Sequence, residues 1–152
     1  MIISSAMATM EEVEDAVFAV RDEGLEEVAA LQCTGNYPAK LSDSNLRVIQ
    51  TYKEKLHCIV GYSDHTPDLI NPVAATAMGA KIYEKHFTLD RNLPGPDHKA
   101  SITEKELKKM VDGIRKIVIA LGDGVKKVSP SEKKNIKIAR NSIVAAKDIK
   151  KG

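Results

Sequence analysis

The feature that most constrains this chain is a rhythm repeated four times: a short apolar run, a polar turn, then an amphipathic stretch. Ile2-Ile3-Ser4 leads to a predicted helix over 9–21. Thr9 is its N-cap, and Glu12 three residues later completes a capping box. Val13, Ala16, Val17 and Val20 mark the buried stripe, and Gly24 suits a left-handed helix end. The second unit has a strand at 28–33, a loop at 34–40, and a helix from Asp43 or Ser44 to Leu56. The third has a strand at 58–63 and a helix through Ile70, Val73, Ala74, Ala77 and Met78, ended by Gly79. The fourth has a strand at 80–84, a long loop from Thr88 to Ser101, and a helix over 103–121 with Thr103 and Glu106 as a second capping box. Strands alternating with helices imply parallel pairing through right-handed crossovers. Four βα units make either half of an eight-unit βα barrel or a small open sheet. No glycine-rich dinucleotide fingerprint or P-loop follows any strand, which disfavours a nucleotide-binding open sheet. The expected fold is therefore α/β, with four consecutive βα units over 1–122 forming half of a TIM-type (βα)8 barrel.

After Gly122 the pattern changes to a lysine-rich tether over 123–139, in which Ser129-Pro130-Ser131-Glu132 resembles a helix start. Ser142-Ile143-Val144-Ala145-Ala146 reads as the first strand of a further domain over 140–152. The isolated Ile2-Ile3 and this late strand give the chain the look of a piece of a longer protein.

Composition narrows the partners. The 23 basic and 21 acidic side chains leave a net charge of +2, too balanced for nucleic acid or an anionic membrane as the main partner. Cys33 and Cys58 are too few and too dispersed for a disulfide scaffold, so a reduced, cytoplasmic setting is expected. No run approaches the roughly 20 apolar residues of a membrane span.

Two strings sit where a barrel keeps its chemistry, at the C-terminal ends of strands. They are Gly61-Tyr62-Ser63-Asp64-His65-Thr66 and Glu84-Lys85-His86-Phe87-Thr88. Residues two apart on a strand share a face, so Ser63 pairs with His65 and Glu84 with His86. If the strands are neighbours, two imidazoles and a carboxylate converge, a site for a divalent metal and carbonyl chemistry. Ordinary explanations stand beside this one. His65 alone reads as a surface or capping residue, and Ser63, Asp64 and Thr66 are common N-cap types. Glu84 alone reads as an ion-pair partner, Asp97 as a turn former, Tyr37 as a packing residue and Cys33 as a small buried apolar group.

Several ordered strings resemble the sialic acid synthase family: Ser4-Ser5-Ala6-Met7-Ala8-Thr9, Cys33-Thr34-Gly35-Asn36-Tyr37-Pro38, the two histidine strings, Pro94-Gly95-Pro96-Asp97-His98-Lys99-Ala100-Ser101 and Arg140-Asn141-Ser142-Ile143-Val144-Ala145. The resemblance covers essentially the whole chain. It implies condensation of phosphoenolpyruvate with an open-chain N-acetylated hexose such as N-acetylmannosamine, with release of phosphate. It also implies a divalent metal, Mn2+ foremost with Mg2+ or Co2+ as substitutes, and a homodimer in which a small antifreeze-like domain follows the barrel. By position, His65 and His86 match metal ligands, Ser4 and Ser63 match phosphoenolpyruvate contacts, Glu84 matches a proton-transfer glutamate, and Tyr37 and Asp97 match sugar contacts. Relatives often read Ser-Thr-Gly-Met where this chain has Ser4-Ser5-Ala6-Met7, which leaves Ser4 and Ser5 both open. Gly35 stands where several relatives carry a polar side chain. The resemblance places 1–122 as the second half of a TIM-type (βα)8 barrel; the family's phosphate-binding lysines come largely from the first half, and its sugar-gripping arginine from deeper in the C-terminal domain. Two alternatives remain: a catalytically inactive half-barrel module that associates into a dimer, and another metal-dependent sugar aldolase. Thr66 and Ser63, taken as lying just before a helix start, are expected to help bind anionic substrate, and Glu84 to shuttle a proton from a buried position.

Overall fold

A computed structural model describes residues 1–152. The chain divides into two units, 1–122 and 123–152. In the first, β1 (Ile2–Ser4), β2 (Ala29–Cys33), β3 (Ile59–Asp64) and β4 (Ile82–Lys85) form one parallel sheet in the order β1-β2-β3-β4. The connections carry α1 (Met10–Asp22), α2 (Val48–Lys55) and α3 (Ile70–Ala77), and α4 (Glu104–Leu121) follows β4. Each strand is added on the same side of the last, so right-handed crossovers put the helices on one face of the sheet.

The core shows which face. Ala30, Val60 and Tyr62 from the strands pack with Val13, Val17, Ile49, Tyr52, Leu56 and Ala75 from the helices. Strand parity then sends Leu31, Cys33, Gly61, Ser63 and Glu84 to the opposite face. Register lines these residues into layers: Ser4, Leu31, Gly61 and Ile82 in one, and Cys33, Ser63 and Glu84 in the next. The layers meet closely at Gly61, where a Cβ would fall 2.4 Å from Leu31 Cδ2 and 2.5 Å from the Ile82 carbonyl oxygen. At the ends of this face Ile2 and Ile59 remain exposed.

Local signals account for most boundaries. Thr9 caps α1 with Glu12 returning to its amide, and Gly24 takes φ +85 just beyond the helix. Gly79 takes φ +104 after α3. Before α4, the Thr103 amide and hydroxyl both donate to Glu106, which also receives Arg91 at 2.7 Å. Gly113 lets α4 approach α3, since a Cβ there would lie 3.2 Å from Val73 Cγ2.

Three expectations are corrected. The helix expected from Asp43 or Ser44 starts only at Val48, after a 3-10 turn at Leu41–Asp43. Asn45 has φ +42, a conformation an α-helix does not pass through. Ser44 is drawn instead into tertiary contacts, its carbonyl accepting from Gln32 and its hydroxyl from Asn71. The helix after β3 forms through Ile70, Val73, Ala74 and Ala77 as expected, but Ser63 and Thr66 do not lie just before its start, where Asp68 Oδ1 instead accepts the Leu69 and Ile70 amides. Finally, 142–146 forms no strand. No neighbouring strand pairs with it, and a ladder needs a partner to accept its hydrogen bonds.

In the second unit α5 (Lys133–Ala139) follows the expected start signal, with the Ser129 amide and hydroxyl donating to Glu132. No helix of the chain is long and apolar enough to cross a membrane.

Candidate active site

The two histidines lie at the C-terminal ends of adjacent parallel strands, one residue beyond β3 and one beyond β4. Their ring centroids are 5.3 Å apart, with the planes inclined at 60°. One layer down on the same face, Ser63 and Glu84 are register partners, and the Ser63 hydroxyl donates to Glu84 Oε1 at 2.6 Å.

The loop 34–40 clasps His65 from three directions. Its Nδ1 lies 2.7 Å from the Thr34 carbonyl oxygen, the Ala39 amide donates to its backbone carbonyl at 2.9 Å, and the Tyr37 ring stacks on it at 4.0 Å. A carbonyl can only accept, so Nδ1 carries the proton and Nε2 presents its lone pair. His65 is 7% exposed and Cys33 Sγ lies 3.8 Å from its Nδ1. His86 is more open, at 34% side-chain exposure, and is held through its backbone, where Ile102 donates to its carbonyl. Tyr37 meets it edge-on at 5.2 Å, and Asp97 Oδ2 lies 4.0 Å from its Nδ1.

A divalent cation fits the donor chemistry of this pair. The carbonyl-bound Nδ1 of His65 is the arrangement by which ligating histidines are oriented. No cluster of three or more His, Cys, Asp or Glu is close enough to hold an ion. The chain therefore offers two imidazoles as the protein donors that would hold such an ion.

The other predicted residues fall as follows. Ser4 is exposed on the face that carries Ser63, two registers below it, whereas Ser5 is buried and its hydroxyl donates to the Leu31 carbonyl. Ser4 is thus the serine that shares the histidine face. Glu84 is exposed, not buried, on the outermost strand β4, whereas Leu31, Cys33 and Ser63 on the same face are buried. Tyr37 is half exposed; burial first, then Cys33, Asp97 and Glu84 nearby, push its phenol above the ordinary 10.0, so it stays a hydrogen-bond donor at neutral pH. Thr66 is fully buried with its hydroxyl on Asp64, which removes it from any substrate-binding role. A cavity of about 500 Å³ opens between the loops after β1 and β2, with Cys33, Thr34 and Asn36 in its wall. Neither histidine lines it.

The sequence reading missed the buried group on the reverse of this site. Asp64 Oδ2 accepts from Lys85 Nζ at 2.7 Å and from the Tyr83 hydroxyl, and both charged side chains are almost fully buried. Burial, then the Asp64 charge, pushes the Tyr83 phenol far above its ordinary value, so it remains the donor. The signal was present, since Asp64 and Lys85 immediately precede the two histidines.

Residues 1–126 match the NeuB family. The chain is 48% identical over 153 residues to an N,N'-diacetyllegionaminic acid synthase of Campylobacter jejuni, a match covering 99% of this chain and 46% of that protein. It is 41% identical to a pseudaminic acid synthase of the same species, over 99% of this chain and 44% of the relative. A crystal structure of an N-acetylneuraminic acid synthetase from Leptospira borgpetersenii in complex with citrate superposes with a TM-score of 0.80 at 38% identity, covering 90% of this chain and 47% of that one. The chain thus spans less than half the length of these relatives. It belongs to the NeuB family, the family of the sialic acid synthases.

Proposed function

We propose that the protein is a nonulosonic acid synthase, condensing phosphoenolpyruvate with an open-chain N-acetylated hexose and releasing phosphate. In this reading residues 1–122 are half of a (βα)8 barrel, and 140–152 begin an antifreeze-like domain. The observation that carries it is the pair of imidazoles at the ends of neighbouring strands, 5.3 Å apart, with the Ser63–Glu84 hydrogen bond one layer beneath. Helices on one face only and unpaired outer edges on β1 and β4 support the half-barrel.

His65 and His86 would hold a divalent ion, Mn2+ or in its place Mg2+ or Co2+. Held by these two residues, the ion would supply Lewis acidity toward the sugar aldehyde oxygen. Glu84 is open to substrate and has an oxygen not engaged by Ser63, so it holds or passes a proton at the sugar. The single proton of Ser63 points to Glu84 Oε1. Its contact with anionic phosphoenolpyruvate therefore requires that hydroxyl to turn away from Glu84 or Glu84 to be protonated. Tyr37 offers a flat half-exposed ring and a phenolic donor to the sugar, and Asp97 an exposed carboxylate. Ser4 supplies a hydroxyl to phosphoenolpyruvate from the lower layer.

The test is phosphate release by the full-length protein. It should require phosphoenolpyruvate, an N-acyl hexose and Mn2+, and should fall at least a hundredfold in His65→Ala and in His86→Ala, the scale of losing a metal's contribution of several kcal/mol. Undiminished turnover in both variants would remove the metal assignment. Turnover without phosphoenolpyruvate would point to a sugar aldolase instead.

A further inference from the structure

The buried Asp64–Lys85 pair lies on the face of the sheet opposite the imidazoles, yet it touches the backbone of both histidine segments. Asp64 Oδ1 accepts from the Thr66 amide at 2.9 Å and the Thr66 hydroxyl at 2.8 Å, closing a side-chain turn whose middle residue is His65. Asp64 Oδ2 accepts from Lys85 Nζ at 2.7 Å and from Tyr83. Lys85 also donates to the Thr66 carbonyl at 2.5 Å, and Lys85 is the residue before His86. Asn71 of α3 donates weakly to Thr66 Oγ1 and anchors the turn to the helix layer. One carboxylate therefore accepts four donors and holds the backbone on either side of His65 and directly before His86.

We propose that Asp64 and Lys85 are positioning residues that set the spacing of the two imidazoles through the backbone. This rests on the functional reading above only in taking those imidazoles as a ligand pair. The β3–β4 ladder runs up to the Asp64–Lys85 register pair, and beyond it this side-chain cluster joins the turn around His65 to the residue before His86. Between the two segments the rings themselves meet only each other and the half-exposed Tyr37 ring, and Ser63–Glu84 joins the strands one layer lower. A cluster in which every buried polar atom has a partner and both charges are buried resists displacement, because any opening orphans a charge away from water.

The test uses the full-length protein and the double variant Asp64→Asn/Lys85→Met, which removes both charges and orphans neither. Its melting temperature should stay within a few degrees of the parent. Its Mn2+ dissociation constant should rise at least tenfold, as for loss of groups that orient ligands, and the ring 15N signals of His65 and His86 should shift or broaden without metal. Tyr83→Phe, which deletes one donor and no charge, should weaken Mn2+ binding about fivefold and covers the case of a misfolded double variant. Folded variants with parental Mn2+ affinity and unchanged ring signals overturn the proposal, as does a loss of stability alone. If the parent binds no Mn2+ through these histidines, the synthase reading fails, and the ring signals alone still decide the positioning role.

Discussion

Gly61→Ala is a severe test of how closely β2, β3 and β4 approach. The new Cβ would lie 2.4 Å from Leu31 Cδ2, 2.9 Å from Ile82 Cβ and 2.5 Å from the Ile82 carbonyl oxygen. Carbon contacts are comfortable at about 3.5–4.0 Å, so the first of these is short by about 1 Å. Leu31 is 1% exposed and has little free space to swing into. The Ile82 oxygen is backbone in the strand paired with Gly61 and cannot rotate away. The strands must separate, which adds a weakened ladder bond of about 1 kcal/mol to an overpacking cost of about 1–3 kcal/mol. We expect a loss of about 3 kcal/mol in urea unfolding followed by circular dichroism, and a melting temperature lower by about 10 °C. Because β3 and β4 carry the histidines, Mn2+ affinity should fall as well. A loss under about 1 kcal/mol, with affinity intact, would refute the close layering from which the inward face was derived.

Lys85→Met alone leaves Asp64 charged and buried, and should cost about 3–5 kcal/mol in the same unfolding assay, most of it recovered by adding Asp64→Asn. Acid should loosen the start of α4. The Thr103 amide, then its hydroxyl and Arg91, hold Glu106 below its ordinary 4.5. A depressed carboxyl stabilises above its unfolded value and loses that contribution as pH falls through the folded one. Amide exchange at the first turn of α4 should therefore accelerate below about pH 4.5, and Glu106→Gln should flatten that dependence. Removing the α1 cap with Thr9→Ala should cost about 1 kcal/mol by denaturant titration, and an unchanged midpoint would deny the cap its role.

Much of this protein was legible as pattern. Thr9 with Glu12 and Thr103 with Glu106 announced two helix starts because a cap is a contact over three residues. Gly24 and Gly79 announced two ends for an equally local reason. The pairing of Ser63 with His65 and of Glu84 with His86 followed from strand parity. Where the sequence reading failed, distant partners decided. Asp43 or Ser44 looked like a helix start, but Ser44 was claimed by Gln32 and Asn71. Thr66 looked like an available hydroxyl, but Asp64 took it into the core. Ser142–Ala146 had the composition of a strand and no neighbour to pair with.

The order of residues along the chain thus determined four βα units, their caps, and which side chains share a face, since each depends on contacts within a few residues. Only the tertiary structure decided that His65 and His86 stand beside each other, that Glu84 is open to solvent, and that Asp64 and Lys85 meet behind them. Those facts depend on which strands become neighbours and on the register between them, and register is set by the packing of the whole sheet against its helices.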